Sequence, residues 1–346
     1  MKETAFINGL HAEIAKPPTL FQRTADTVFR HVCGASGWLT TLIVVFIVVK
    51  ITVAALPAMC QYGVNFLTTT TWDPQTQVYG ILPEIWGTLF TSVLALIAGT
   101  FFGVAAAIFL SEGFLGQFIF AILKIIKMDT NPYWGKLPER MEGILKNLIE
   151  LLAAIPSVVY GLWGIFILIP AIRPTCNWLS AKLGWMAFFG TTLSGPGVLP
   201  AVIVLSIMIL PTVTAISRDA LVAVPPKLRM AAYGMGATRW ETILAVILPV
   251  ATRGIIGAVI LAFGRALGET MALAMLVGNS NKISLSLFSP ANTLASLLAN
   301  NFPEAGPNVV SVLMYAALVL LAITLIVNII GAMILQKASS ADEGGK

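Results

Sequence analysis

Residues 229–249 read Arg-Met-Ala-Ala-Tyr-Gly-Met-Gly-Ala-Thr-Arg-Trp-Glu-Thr-Ile-Leu-Ala-Val-Ile-Leu-Pro and lie between two long apolar stretches. Gly236 supplies a flexible joint where a side chain would be unfavourable. Thr238 and Glu241 have the Thr-x-x-Glu spacing of a capping box, which starts a second helix. Pro249 is then expected to stop or kink that helix. The stretch therefore predicts two short helices on either side of a glycine hinge.

Two cations belong to this polar stretch, and both are expected to project from it at a membrane surface. They are Arg229 and Arg239. Two short helices with projecting side chains form a knob that suits a groove on a soluble partner. The alternative is an ordinary helix-turn-helix connector. The residues alone leave both interpretations open.

The composition shows which class of protein surrounds this stretch. Of the 346 residues, 57% are hydrophobic and 11% are charged, and the mean hydropathy is +0.88. Soluble proteins contain about 25% charged residues. Several runs of roughly 18 or more residues are almost free of charge, as membrane-spanning helices require. The chain is therefore expected to be an integral membrane protein, and its net charge of +5 does not indicate nucleic-acid binding.

The apolar runs predict six spanning helices. They cover residues 38–58, 84–110, 147–172, 198–216, 254–277 and 309–335. Pro156 should break or kink the third helix, and Pro211 should kink the fourth. Residues 293–300 are expected to form a short outer helix. Within the inner segment 111–146, the apolar part 114–126 has three possible interpretations: an extension of the second span, a surface helix or a re-entrant piece.

The N-terminal leader, residues 1–37, carries an amphipathic pattern. Its apolar face consists of Leu20, Phe21, Val28, Phe29 and Val32. This pattern predicts an interfacial helix that lies along the membrane surface, and the alternative is a soluble leader with chance periodicity. The predicted domains are the leader, a transmembrane domain 38–336 that contains the loop 225–249, and a tail 337–346.

The distribution of cations predicts the orientation in the membrane. Sixteen of the 21 Lys and Arg residues lie in the leader, the tail and the loops that would share their side of the membrane. Three lie in the alternate loops, namely Arg173, Lys182 and Lys282. Cytoplasmic loops carry the excess of Lys and Arg, so both termini and the loop 225–249 are expected in the cytoplasm.

The remaining two cations, Lys50 and Arg265, fall within predicted spans. Arg265 lies midway along the fifth span, with Glu269 one helical turn later on the same face. A charge at mid-membrane costs at least about 2.5 kcal/mol, so it should face a partner or a polar path. One interpretation is a packing ion pair that fixes helix rotation. The other is an anion site, because a guanidinium suits a phosphate-like oxyanion and Glu269 could position it or accept a proton.

The loop resembles the EAA loop of ABC-importer permeases, in which Glu-Ala-Ala is followed at fixed spacing by Gly and by Ile-x-Leu-Pro. The matching positions are Ala231, Ala232, Gly236, Leu248 and Pro249. Met230 stands where the family has Glu, and Val246 where it has Ile. In that family the loop docks on a separate ATP-hydrolysing subunit. The resemblance therefore implies that the ATPase contacts are Arg229, Met230, Ala231, Ala232, Gly236 and Arg239.

Further motifs resemble the permeases of bacterial phosphate importers over about residues 20–335. They are Trp72–Pro74, Gly87–Leu89, Leu110–Glu112, Ile149–Gly161 and Arg265–Thr270. The resemblance implies an all-α integral membrane protein with six transmembrane helices of the type I ABC importer permease (MetI-like) fold, preceded by the interfacial helix. It implies that Arg265, Glu269 and Thr270 line the substrate pathway for inorganic phosphate. The alternative is a related importer of molybdate, sulfate or another small solute.

The same resemblance implies the partners and the location. These are a homologous PstA-like permease subunit, a PstB-like ATPase dimer that binds ATP and Mg, a periplasmic phosphate-binding protein, and the bacterial inner (plasma) membrane. The chain itself has no Gly-x-x-x-x-Gly-Lys-Ser/Thr loop for ATP. Both histidines lie in the leader, and the three cysteines lack metal spacing. We therefore expect no cofactor, no metal site and no catalytic residue in this chain.

Overall fold

The computed structural model describes residues 19–114 and 137–343, and the chain divides into two compact units, Met1–Val53 and Ala54–Lys346. The predictions for the start of the leader, for most of 114–126 and for the last three residues of the tail lie outside the described residues. The described part is mostly helical, as the apolar runs predict.

The elements follow one another as α1 (Leu20–Tyr62), α2 (Asn65–Thr68), β1 (Trp72–Asp73), β2 (Val78–Tyr79), α3 (Leu82–Ser111), α4 (Leu137–Ala154), α5 (Ser157–Trp163), α6 (Ile169–Leu183), α7 (Val198–Val222), α8 (Pro226–Gly234), α9 (Arg239–Thr242), α10 (Leu248–Gly268), α11 (Met271–Leu276), α12 (Leu294–Asn301) and α13 (Pro307–Glu343). Five-residue π-helical segments, Gly164–Leu168 and Ile243–Ile247, join α5 to α6 and α9 to α10. Short 3-10 turns cover Ala187–Phe189 and Phe302–Glu304.

Six described helical stretches are long and apolar enough to cross a membrane, which confirms the predicted number. They are Leu20–Tyr62, Leu82–Ser111, Ser157–Leu183, Val198–Val222, Arg239–Gly268 and Pro307–Lys337. The second, fourth and sixth agree with the predicted positions and extend beyond them. The predicted short helix at residues 293–300 is also confirmed, because α12 begins at the capping box of Thr293 and Ser296.

The first span differs from the prediction because α1 continues without a break from the leader into the membrane segment. Its 43 residues extend over roughly 65 Å at 1.5 Å per residue, about twice the thickness of a hydrocarbon core. No proline stands between Leu20 and Trp38, and Gly34 and Gly37 lower helix propensity without ending the helix. The predicted boundary at residue 38 is therefore not a structural break. The surface location of the leader stays a prediction.

The third span lies ten residues later than predicted. The expected break at Pro156 is confirmed, since α4 ends at Ala154 and α5 begins at Ser157. Proline lacks the amide hydrogen and disfavours helix in the residue before it. However, α4 carries Lys146 and Glu150, and the stretch that is long and apolar enough to cross a membrane, Ser157–Leu183, begins on the far side of the break.

Two prolines are accommodated inside long helices by π-helical turns. Pro170 lies two residues after the end of the π-helical segment Gly164–Leu168. Pro249 likewise lies two residues after the end of Ile243–Ile247. A proline ring collides with the carbonyl four residues earlier, and a wider turn relieves that collision. Pro249 was predicted to stop or kink its helix. It does not stop the helix, which continues through it to Gly268, and a kink there stays a prediction.

The centre of the larger unit is formed by α3, α7 and α10. Small residues of α3 allow the predicted close approach. A Cβ added at Gly99 would lie 2.6 Å from Cγ1 of Ile209, and one at Gly103 would lie 2.7 Å from Cγ1 of Val213. Larger residues at either glycine would therefore separate α3 from α7.

At one end of the larger unit, β1 and β2 form an antiparallel hairpin that the sequence reading did not predict. The carboxylate of Asp73 accepts hydrogen bonds from the Gln75 amide at 2.9 Å and from the Thr76 hydroxyl at 2.7 Å. These bonds favour the ionised form and hold the pKa of Asp73 below its ordinary value. Asp73 thus acts as an Asx-turn residue that shapes the hairpin.

Candidate functional site

The polar loop folds as the two helices and hinge that its sequence predicts. After α8 ends at Gly234, Gly236 has φ +84°. The Ala237 amide donates to the Ala232 carbonyl at 3.1 Å and the Gly236 amide to the Tyr233 carbonyl at 3.0 Å. These two bonds form a Schellman motif, which requires the left-handed conformation that glycine adopts without strain.

The second helix starts with the predicted capping box. The Glu241 amide donates to the Thr238 hydroxyl at 3.4 Å, and the Thr238 amide donates to the Glu241 carboxylate at 2.7 Å. Each bond satisfies a backbone amide that a helix start otherwise leaves unpaired. The Schellman motif and this box therefore fix the angle between α8 and α9 over only a few residues.

Arg229 does not project as predicted but turns into the protein. Its guanidinium donates to the Glu112 carboxylate at 2.6 Å and to the Leu221 carbonyl at 2.8 Å. The Arg229 side chain is 21% exposed and that of Glu112 is 6% exposed. Arg229 thus ties α8 to the residue that follows α3 and to the last turn of α7. Its ion-pair partner lies 117 positions away, so local sequence spacing gives no sign of it.

Arg239 is also turned inward rather than projecting. Its guanidinium carbon lies 4.3 Å from the centroid of the Phe114 ring, and the Trp240 ring stacks on the same ring at 5.2 Å. A cation over an aromatic face is attracted by the ring quadrupole. Phe114 follows α3 closely, so Arg239 and Trp240 give α9 a second attachment to this end of the span.

The outward side of α8 and the hinge is mainly apolar. Met230 is 63% exposed, Tyr233 45% and Met235 83%, whereas Ala232 is 2% exposed. Ala231 and Gly236 lie on the exposed side as well. Of the predicted ATPase contacts, the structure therefore leaves Met230, Ala231 and Gly236 accessible, and it places Ala232, Arg229 and much of Arg239 against the rest of the chain.

The ion pair between Arg229 and Glu112 leads to a stability prediction. Replacing Glu112 by Ala leaves Arg229 without its partner, which costs roughly 3–5 kcal/mol for a fully buried pair. The cost should be smaller here because Arg229 is 21% exposed. Glu112→Ala should clearly lower the unfolding temperature of the purified permease in a thermal melt. Asp219→Ala is the matched control, since the Arg218–Asp219 pair at 3.6 Å has an Asp219 side chain that is 77% exposed. Equal losses in the two variants would contradict this assignment.

The fifth span is not one continuous helix over residues 254–277, which is what the sequence predicted. The helix α10 ends at Gly268, Glu269 has extended backbone angles (φ −67°, ψ 124°), and α11 begins at Met271. Glycine propagates a helix poorly. The Glu269 carboxylate accepts from the Ala272 amide at 3.4 Å, and the Thr270 hydroxyl donates to the Gly268 carbonyl at 3.1 Å. Both side chains therefore hydrogen-bond to backbone groups beside the helix break.

Arg265 lies in the last turn of α10, on the exposed side. Over the described residues, the ion pairs do not include one between Arg265 and Glu269. The expected side-by-side pair on one helical face is therefore absent from this conformation, because the chain leaves the helix before Glu269. Arg265 instead lies close enough to Tyr160 for an electrostatic interaction between the two side chains.

The two helix breaks are neighbours. A Cβ at Gly161 of α5 would lie 2.6 Å from the Met275 sulfur, and one at Gly164 would lie 2.6 Å from Cδ2 of Leu276. These contacts show that α5 and α11 run side by side in the same direction. The Tyr160 hydroxyl donates to the Leu152 carbonyl at 2.8 Å and so bridges the first break. A guanidinium, a carboxylate and two hydroxyls thus collect beside these two helix breaks.

Sequence reasoning missed three residues of these sites. Glu112 was recognised as part of a motif without a role, Phe114 was placed only in an ambiguous apolar run, and Tyr160 fell only within the motif Ile149–Gly161. An acidic residue directly after an apolar span was the available signal for Glu112. Within residues 19–114 and 137–343, the structure shows no group of three or more His, Cys, Asp or Glu side chains that could hold a metal ion.

Comparison with known proteins gives consistent results. Residues 133–340 match the family described as binding-protein-dependent transport system inner membrane component. The phosphate transport system permease protein PstC of Haemophilus influenzae is 35% identical over 94% of this chain and 98% of its own length. The protein of the same name from Mesorhizobium japonicum is 34% identical over 90% of each chain.

Solved structures show the same fold at low sequence identity. An inward-facing MetNI methionine ABC transporter chain matches with a TM-score of 0.51 and 15% identity, covering 78% of this chain and 99% of that chain. A chain of a bacterial ABC transporter involved in import of the acidic polysaccharide alginate matches with a TM-score of 0.57 and 15% identity, covering 91% and 99%. The predicted type I importer permease fold is thereby confirmed.

Proposed function

Because the chain belongs to the family of binding-protein-dependent transport system inner membrane components, we propose that it is the permease subunit of an ATP-driven importer of inorganic phosphate. The observation that carries the choice of substrate is its similarity to PstC proteins, at 34–35% identity over 87–94% of this chain. Six helices are long and apolar enough to cross a membrane, and the two helix breaks would supply polar groups to a path between them.

The proposed phosphate contacts are Arg265, Glu269 and Thr270. Arg265 is always charged and offers a planar set of donors that matches an oxyanion. The amino-terminal ends of α5 and α11 would add partial positive charge beside it. Glu269 would then limit how long the anion stays, because its negative charge opposes that of phosphate. Irregular backbone in a membrane is tolerated where it lines a polar cavity, which supports a path at these breaks.

The proposed ATPase contact is the apolar outward side of α8 and the hinge, around Met230, Ala231 and Gly236. A Met residue in place of the family Glu makes this contact more apolar and less dependent on charge. The inward-facing Arg229 and Arg239 would act as positioning residues, since they attach the docking surface to the ends of α3 and α7. Movement of a docked ATPase would in this way be passed directly to two spanning helices.

The partners follow from the same proposal. A homologous PstA-like permease subunit would complete the path, a PstB-like ATPase dimer would bind ATP and Mg, and a periplasmic binding protein would deliver phosphate. The chain has no ATP-binding loop of its own. The rival substrates are molybdate and sulfate, which share the oxyanion chemistry that Arg265 would recognise.

Growth on limiting phosphate tests this function. A bacterial strain without its own high-affinity phosphate permease should grow at low phosphate when it produces this chain with its three partners, and it should not grow when the chain alone is omitted. Rescue of growth on limiting molybdate or sulfate in the corresponding strains, without rescue on phosphate, would replace phosphate by that anion.

The orientation is tested separately by cysteine labelling. With both termini in the cytoplasm, a cysteine at Gln75 in the hairpin should react with an impermeant thiol reagent added outside intact cells. A cysteine at Met235, which is 83% exposed on the hinge, should react only after the membrane is opened. The native residues Cys33, Cys60 and Cys176 must first be replaced. The reverse pattern would overturn the proposed topology.

A further inference from the structure

The first spanning helix carries a lysine at the centre of its apolar stretch. This stretch lies between Trp38 and Gln61, and Lys50 is 12 residues from the first and 11 from the second. At 1.5 Å per residue, Lys50 is about 17 Å from either end. A lysine near the end of a span can extend to the headgroups, but from this depth the headgroups on both sides are out of reach.

Among positions 19–53, no carboxylate lies near enough to Lys50 to pair with its charge. Its ammonium lies 5.6 Å from the centroid of the Phe46 ring, one turn earlier in the same helix. Such a contact is a weak attraction and leaves the positive charge in place. Asp26 is the acidic residue among positions 19–53, and it is about 36 Å away along the helix and pairs with Arg30 at 3.4 Å.

The side of α1 around this lysine is accessible and apolar. We define the Lys50 face as Lys50 with its helical neighbours Ile43, Phe46, Ile47 and Val53, which are 48–61% exposed. Charged residues inside membranes pair with one another or line functional paths. A face that is apolar except for one central cation therefore suits a spanning helix that is apolar except for one central carboxylate.

We propose that the Lys50 face is a contact with the homologous permease subunit, which supplies an Asp or Glu side chain at the depth of Lys50. The inference rests on the proposed function, since it requires that second subunit. It assigns α1 to the interface between the two membrane subunits, and the ion pair would fix both the depth and the rotation of α1 in the complex. A second copy of this chain is a weaker candidate, because Glu84 is fully buried and Glu269 already accepts a backbone hydrogen bond.

Co-purification of the two subunits tests the inference. The tagged chain is produced with its homologous permease subunit, and the ratio of the two is measured after purification in mild detergent. Lys50→Glu should lower the recovered companion about ten-fold or more, while Lys50→Arg should leave it within two-fold of wild type. Lys50→Met, which keeps the length and removes the charge, should fall between them. Membrane insertion and monodispersity of each variant chain show whether it has folded.

A charge exchange makes the test specific. Lys50→Glu combined with Asp or Glu to Lys at the facing position of the companion should restore the ratio. An unchanged ratio in Lys50→Glu would overturn the inference, as would a normal ratio with lost phosphate uptake, which would move Lys50 to the path. If the substitutions that restore the ratio in Lys50→Glu lay in this chain and not in the companion, the inference would be overturned too. If the wild-type chain recovers no companion at all, the proposed function fails and this inference with it.

Discussion

An Arg265→Gln permease is expected to assemble with its partners and to lose about 100-fold or more of its phosphate uptake. Glutamine keeps part of the size and some hydrogen-bonding capacity, but it removes the charge and the paired donors together. Removing one preorganised donor to an anion costs roughly 100- to 1,000-fold in comparable sites. Because Arg265 is exposed in the last turn of α10 and makes no ion pair with Glu269 among the described residues, its loss should not unfold the protein.

The measurement is uptake of labelled phosphate into vesicles, with the yield of the intact complex determined on the same samples. Arg265→Lys should keep a part of the uptake, because it keeps the charge and loses the planar fork. Arg173→Gln is the matched control, since Arg173 is an exposed arginine of a different spanning segment. If Arg265→Gln lowered complex yield and uptake in parallel, Arg265 would be a structural residue. Normal uptake in this variant would remove it from the phosphate path.

Replacement of Gly236 by Val is expected to uncouple the permease from its ATPase. The backbone of Gly236 has φ +84°, which costs roughly 1–2 kcal/mol for an ordinary L-residue and more for a β-branched one. No heavy atom lies within 4 Å of an added Cβ, so the penalty arises from the backbone and not from a clash. The hinge should therefore change shape, which would turn α8 and α9 relative to each other.

Two variants at this hinge separate backbone strain from lost contact. Asn tolerates the left-handed conformation, so Gly236→Asn should retain most ATPase co-purification and transport, whereas Gly236→Val should lose both. Ala should fall between the two. Insertion of all three variants should be normal, since Gly236 lies before the spanning stretch that begins at Arg239. Full transport by Gly236→Val, or an equal loss in Gly236→Asn, would contradict the role of the hinge conformation.

Much of this architecture could be predicted because it depends on local sequence. The number of spans follows from the length of apolar runs, and the break at Pro156 follows from a missing amide hydrogen. The cap at Thr238 and the hinge at Gly236 follow from residue types at fixed spacing. Each of these features is determined within a few positions of the residue that causes it.

What could not be predicted depends on contacts between distant parts of the chain. Arg229 was expected to project because it is a cation in a polar loop, but Glu112 and the Leu221 carbonyl draw it inward. The pairing of Arg265 with Glu269 was expected from helical spacing. That spacing applies only while the helix continues, and it ends at Gly268.

Reconstituted transport tests most directly whether this chain forms the path of an ATP-driven phosphate importer. The chain, its homologous permease subunit and the ATPase are placed in liposomes with ATP and Mg inside and the periplasmic binding protein outside. Labelled phosphate is supplied first alone and then with an excess of unlabelled molybdate or sulfate. We predict ATP-dependent accumulation of phosphate that neither competitor prevents. Accumulation of labelled molybdate or sulfate in place of phosphate, under the same conditions, would contradict the account.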